Sequence, residues 1–243
     1  AMQIGFDVLK KLGVPFPSPL PDKSNAVRKA MTTSMVLQNK SKEEFLNYHE
    51  MNDENMTAAM KFLQILLNYS FFAKQEQLPI IIEQMMQLTL RYGVCEESCT
   101  ALGYLSFLLC SLEYFKDSDY IGQLAIALVD KLKANEYLPR VYLAYFSGAA
   151  SWIRGAKLTL ERLLRGYQVG MQIGDIENAM LSAFAYSIES FIYGRSLYEL
   201  EREADTYMKQ MIEYKQMVPK DLTLALQYAI LSLKKGPSLM VCQ

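Results

Sequence analysis

The chain has 243 residues, 51% of them hydrophobic and 21% charged, with a net charge of −1. That length holds one large domain or two small ones, and the composition is that of a globular chain rather than a disordered one. Lys and Arg (25) balance Asp and Glu (26), and no basic cluster exceeds pairs such as Lys10-Lys11 and Lys234-Lys235, so the electrostatic footprint of a nucleic-acid binder is missing.

The four cysteines, Cys95, Cys99, Cys110 and Cys242, do not make a disulfide framework in a chain this long. They read as small apolar side chains in a reducing compartment. No basic-then-apolar leader follows Ala1-Met2. The longest uncharged run, residues 98–112, is shorter than the ~20 apolar residues of a membrane span. A soluble, cytoplasmic setting is expected.

In chain order, Ile4, Val8 and Leu12 followed by Gly13 predict the tail of a helix, as though cut from something longer. Pro15, Pro17, Pro19 and Pro21 then predict an extended linker, because each removes an amide donor and fixes φ. Residues 1–21 are therefore read as helix tail and Pro-rich linker, and 22–243 as the main domain. Residues 24–38 predict a helix, and Ser41 with Glu44 has capping-box spacing for a short second one. Residues 47–55 are polar and loop-like.

From there the pattern is one of helical hairpins. Residues 56–73 pair with 78–92, 97–115 with 118–133, 137–154 with 157–173, and 176–193 with 197–215. Residues 221–233 open a fifth unit, with only the start of its partner at 238–243. Asp117-Ser118-Asp119 reads as an N-cap, and Ser196 with Glu199 as another capping box. Tyr104, Tyr145 and Tyr186 stand 41 residues apart, and second helices end near Tyr92, Lys133, Gly174 and Lys215. Such a unit cannot bury its apolar face alone and must stack on neighbours. The expected fold is all-α: an α-α superhelix, or tetratricopeptide-like solenoid of hairpins with a ~41-residue repeat.

No stretch carries catalytic chemistry. His49, the single histidine, has Glu50 and Asp53 nearby but no partner histidine, which makes a poor metal site. Cys95 and Cys99 share a helix face without a second ligand pair and read as packing. Gly166, Gly170 and Gly174 lack the following Lys-Ser/Thr of a phosphate loop and read as close helix contact. Met85, Met86, Met208 and Met211 read as core filling, and Trp152 as a packing anchor between repeats. No catalytic, cofactor-binding or metal residue is assigned.

Several blocks resemble one family. They are residues 8–17, 51–60, 88–94, 122–128, 166–175 and 197–203. In order and over nearly the whole chain they are similar to the helical region of very large multidomain signalling proteins. These join a Ser/Thr-kinase-like domain, an AAA/STAND-type ATPase, the helical region, and often GAF and histidine-kinase modules. The Trp–Leu–Gly–Tyr signature of standard tetratricopeptide repeats is absent. The resemblance implies a non-catalytic arm that binds protein or peptide, including its own neighbouring domains. A free-standing scaffold or adaptor with a separate client is the alternative. An RNA binder is disfavoured by charge and an enzyme by the lack of a clustered constellation. An uncovered fifth hairpin, with Leu224, Leu226, Ile230 and Leu233, is expected to self-associate.

Overall fold

The computed structural model describes residues 2–16, 22–73 and 75–235. Over those residues the protein is all-α, with thirteen α-helices, two 3-10 turns and no strand. Glu50 and Val94 form an isolated parallel bridge. None of the described helices is long and apolar enough to cross a membrane. Contacts divide the chain into two units, Ala1–Ala149 and Ala150–Gln243.

The first unit contains α1 (Met2–Lys11), α2 (Lys23–Gln38), α3 (Lys42–Leu46), α4 (Glu54–Ala73), α5 (Leu78–Tyr92), α6 (Glu96–Ser111), α7 (Phe115–Leu132) and α8 (Leu138–Phe146). The predicted capping box forms: the Glu44 amide donates to Ser41 Oγ, and the Ser41 amide to Glu44 Oε2. α1 packs on α4, with Leu9 fully buried in the same core as Leu63 and Met85. The predicted extended segment begins without regular structure, yet Val14 is buried and Phe16 stacks on Phe6 at 4.4 Å. Pro17–Pro21, the rest of that segment, lies outside the described residues.

α6 is the centre of this unit and touches α4, α5, α7 and α8. Its near-continuous apolar sequence is therefore buried on all sides, from Glu97 to Leu109 with Phe107 alone partly open. Buried hydroxyls set its register. Ser106 and Ser118 donate to each other's carbonyl oxygens at 2.7 and 2.6 Å, joining α6 to α7. Thr89 and Ser98 share a hydrogen bond of 2.8 Å, joining α5 to α6.

Two boundaries differ from the sequence reading. α7 begins at Phe115, a turn early, so Asp117-Ser118-Asp119 is not its cap. Asp119 is instead buried, and accepts the Tyr145 hydroxyl at 2.5 Å and Gln123 Nε2 at 2.8 Å. The single helix expected over residues 137–154 is broken into a 3-10 turn, α8 and α9 (Ala149–Ile153). At the break, Ser147 Oγ bonds back to the Leu143 carbonyl, a habit that bends helices, and Gly148 follows.

The second unit holds α10 (Ala156–Ile173), α11 (Ile176–Ile192), α12 (Leu197–Glu213) and α13 (Met217–Lys235). α10 lies close against α11 because Gly170 has no side chain; a Cβ there would sit 2.9 Å from Ala179 Cβ. Met180, Ala183 and Met211 form one core, and Leu200, Leu226 and Ile230 another. Ser196 precedes α12 but its side chain caps nothing, and Glu199 lies 3.7 Å from Arg195 instead. α13 starts four residues before the expected Asp221, with Pro219 in its first turn, where the missing N–H goes unneeded. The expected partner helix at 238–243 lies outside the described residues.

The 41-residue spacing survives in the backbone. Lys133, Gly174 and Lys215, each 41 residues after the last, have φ of 56°, 82° and 57°. All three follow the end of a second helix, where a left-handed residue closes the last turn.

Gly122 and Tyr145 give the sharpest packing test. A Cβ at Gly122 would lie 2.2 Å from the Tyr145 ring, and that ring is 2% exposed. Gly122→Ala is expected to destabilise the protein by about 1–3 kcal/mol through overpacking. Tyr145→Phe, which removes one hydrogen bond from the buried Asp119 carboxylate, should cost a comparable ~1–3 kcal/mol. Urea unfolding followed by circular dichroism measures both; unchanged midpoints would mean that α8 is not seated on α7 in this way.

Candidate functional site

The feature that departs most from ordinary core packing in the first unit is the outer face of α4. Its inner residues, among them Met60, Leu63 and Leu67, are fully buried. Yet Glu54, Ala58, Lys61, Ile65, Tyr69 and Phe72, spaced three or four apart, form an exposed row along one side. The C-terminal half of the row is apolar, with Ile65 63% exposed and Tyr69 and Phe72 each about two-fifths exposed. Phe72 meets Phe71 edge-on at 5.1 Å, and Phe71 in turn meets Tyr104 and Phe107 of α6 at 5.5 and 5.7 Å. This aromatic set holds Phe72 in place rather than leaving it loose.

The N-terminal half of the row runs beside a cavity of about 240 Å³. Thr57 and Lys61 from α4, Glu50 and Val94 from the bridge, and Cys95, Glu96 and Glu97 at the start of α6 line it. Gly93 makes this junction possible. Its φ is 103°, and a Cβ would lie 2.4 Å from the His49 carbonyl oxygen, which accepts the Val94 amide at 2.9 Å. Glu97 is buried and accepts the Tyr137 hydroxyl at 3.0 Å, and burial beside that carboxylate pushes the Tyr137 phenol up. Burial, with Glu136 and Glu97 nearby, also raises the Glu96 carboxyl, and Lys61 opposes this. α4 thus presents a charged end and an aromatic end on one side, a pattern that suits an amphipathic segment of protein.

The residues weighed from sequence fall as follows. His49 is exposed, and its backbone builds the bridge. Among the described residues no group of three His, Cys, Asp or Glu is placed to hold a metal. Cys95 precedes α6 and Cys99 is fully buried in the core. Met85, Met86 and Met211 are fully buried, as core filling requires, whereas Met208 is only half-buried. Gly170 permits the close helix contact expected of it. Trp152 is 77% exposed, so it is not the buried anchor expected.

The three tyrosines spaced 41 residues apart do different things. Tyr104 joins the aromatic set, Tyr145 bonds Asp119, and the Tyr186 hydroxyl accepts from Arg195 at 2.6 Å. Arg195 also grips Glu203 with two bonds of 3.0 and 2.9 Å. The α4 row was missed by the sequence reading, which took that helix as dense core. Apolar residues on both sides of one helix, at 63/67 and at 65/69/72, were the signal.

Burial pushes the Cys95 thiol up to about 12, and Cys99 further. A raised thiol pKa stabilises the fold below the unfolded value, and this is lost as pH climbs through the folded one. At about pH 8, iodoacetamide should therefore alkylate Cys95 and Cys99 at least ~100-fold more slowly in folded than in urea-unfolded protein. Peptide mass mapping over time reads this out, and equal rates would show that α6 does not shield them.

No protein-family model, curated protein or solved structure matches this chain.

Proposed function

We propose that this chain is a non-catalytic, tetratricopeptide-like helical-repeat module that binds protein, and that the outer face of α4 is its docking face. The observation that carries the reading is the half-aromatic, half-charged row on α4, exposed on a helix whose opposite side is fully buried. Exposed apolar rows flanked by charge mark interaction surfaces, and aromatic side chains supply much of the energy at such places. The serial packing of α4 on α6 and α6 on α8, and of α11 on α13, supports a superhelix of stacked hairpins. The left-handed residues at the 41-residue spacing support it as well.

On the family resemblance, the module is a regulatory arm of a larger signal-transduction ATPase/kinase, and its partner is a neighbouring domain of the same polypeptide. Sequencing the transcript on both sides of Ala1 and Gln243 tests this directly. A Walker-type ATPase upstream and a GAF or kinase module downstream are expected. Nearby start and stop codons would remove the relay-arm reading and leave a free-standing adaptor.

The docking face has its own test. Isothermal titration of the chain against the adjoining ATPase domain, with ADP and with an ATP analogue, is expected to show binding that differs between nucleotides. Ile65→Glu with Tyr69→Ala should weaken it by about 100-fold, since buried aromatic and aliphatic anchors dominate such interfaces. Equal affinity for the double variant, with its helical content unchanged, would place docking elsewhere.

A further inference from the structure

Leu226 and Ile230 of α13, expected to stand uncovered, are buried against Leu200 in the second unit. The open row is the one on α4, and the charge around its N-terminal end sets what it can receive. Three carboxylates, of Glu50, Glu96 and Glu97, and one ammonium, of Lys61, line the cavity of about 240 Å³ there. A second hollow shares Met51, Thr57 and Lys61 with this cavity and adds Glu54 of the row itself.

Glu97 is the unusual member. It is 2% exposed, yet the groups beside its carboxylate are neutral: the Tyr137 hydroxyl at 3.0 Å and the Cys95 thiol. Among the described residues no ion pair reaches Glu50, Glu96 or Glu97. Lys131, next to the lining residue Leu132, is turned to the carbonyl oxygens of Leu46 and Tyr48 instead. Burial, then Glu136 and Glu97, push the Glu96 carboxyl up against the opposing pull of Lys61, so the field at the cavity is negative on balance. A carboxylate buried without a cation is costly, and a cation brought to it offsets part of that cost. Among the described residues no three such groups are placed to hold a metal ion, whereas one long side chain ending in an ammonium or guanidinium suits the cavity's size.

We infer that the segment received by the α4 face is an amphipathic helix with a basic end. One of its Lys or Arg side chains enters the cavity between Glu50, Glu96 and Glu97, and its apolar side chains lie along Ile65, Tyr69 and Phe72. This inference rests on the α4 docking reading and adds the sign of the partner's charge. A neutral or acidic segment laid over the same place would strip water from the carboxylates and return nothing to them. Lys61 and Phe72 are eleven residues apart, about 16 Å along the helix, so a partner helix of three turns reaches from the cavity to the aromatic end. An extended partner is disfavoured, because the described residues include no strand whose edge could pair with its backbone.

Selection of a phage-displayed library of helical peptides of about four turns on the whole chain tests the inference, with clones that also bind the Ile65→Glu, Tyr69→Ala double variant discarded. The remaining clones are expected to carry Lys or Arg at one end of an apolar stripe. Glu50 and Glu96 are exposed, so Glu50→Gln with Glu96→Gln should keep the helical content of the chain. That variant should bind a synthetic peptide of the leading clone about 10-fold more weakly than the unaltered chain does. The same peptide with norleucine in place of its basic residue should bind both chains alike. Face-dependent clones with no basic bias overturn the inference and leave α4 as the docking face, as does a basic residue whose binding ignores the Glu50 and Glu96 changes. An absence of face-dependent clones removes the docking reading itself, and this inference with it.

Discussion

The constraint beneath this structure is that helices apolar around their whole circumference must be enclosed. α6 cannot be a surface helix, because twelve of the thirteen residues from Glu97 to Leu109 are buried. Its position forces α4, α5, α7 and α8 to surround it, and the first unit follows from that. α11 sets the same requirement in the second unit, where α10, α12 and α13 pack around it. Hydrophobic burial of this kind is strong but non-directional, so it fixes which helices meet and not their register.

Register comes from the polar groups that the burial traps. A buried hydroxyl or carboxylate left unpaired costs more than its bond returns, so each admits few alignments. The reciprocal Ser106–Ser118 pair allows α7 one placement along α6. Tyr145 allows α8 one placement on α7, because its ring needs the gap at Gly122 and its hydroxyl needs Asp119. In the second unit Tyr193 donates to the Ser151 carbonyl at 2.8 Å, and Arg195 ties Tyr186 to Glu203. Tyr104, Tyr145 and Tyr186, spaced 41 residues apart, thus have different partners.

Much of the helical layout was legible because apolar periodicity and left-handed termini are local signals. α5 and the ends of α7, α10 and α11 lie where Gly93, Lys133, Gly174 and the apolar stripes put them. What stayed hidden depended on distant residues. Asp117-Ser118-Asp119 looks like a cap in isolation; only the arrival of Tyr145 and Ser106 shows why two of its members are buried. Ser196 and Glu199 have capping-box spacing, but Arg195 draws Glu199 away. Trp152 looks like an anchor by size, yet it sits in the five-residue α9 that the break at Ser147-Gly148 cuts off, and it is 77% exposed. The α4 row was hidden for a simpler reason. Composition shows that a helix is rich in apolar residues, and only the packed neighbours show which side they leave open.

The solvent-facing sides of the second helices show what this chain does where water is the intended neighbour. α7 shows Lys116, Gln123, Asp130 and Lys131 outward; α10 shows Glu161, Arg162, Arg165 and Gln168; α12 shows Arg202, Asp205, Thr206 and Lys209. Against that habit, Ile65, Tyr69 and Phe72 on α4 are an exception. Random surface apolar residues occur singly and need no account, but an aligned set over about two helical turns does. The same sequence that keeps charge on three helices withholds it from the C-terminal half of this row. On the proposed docking reading, the charged end of the α4 row calls for a partner with charge of its own, and its aromatic end for an apolar one.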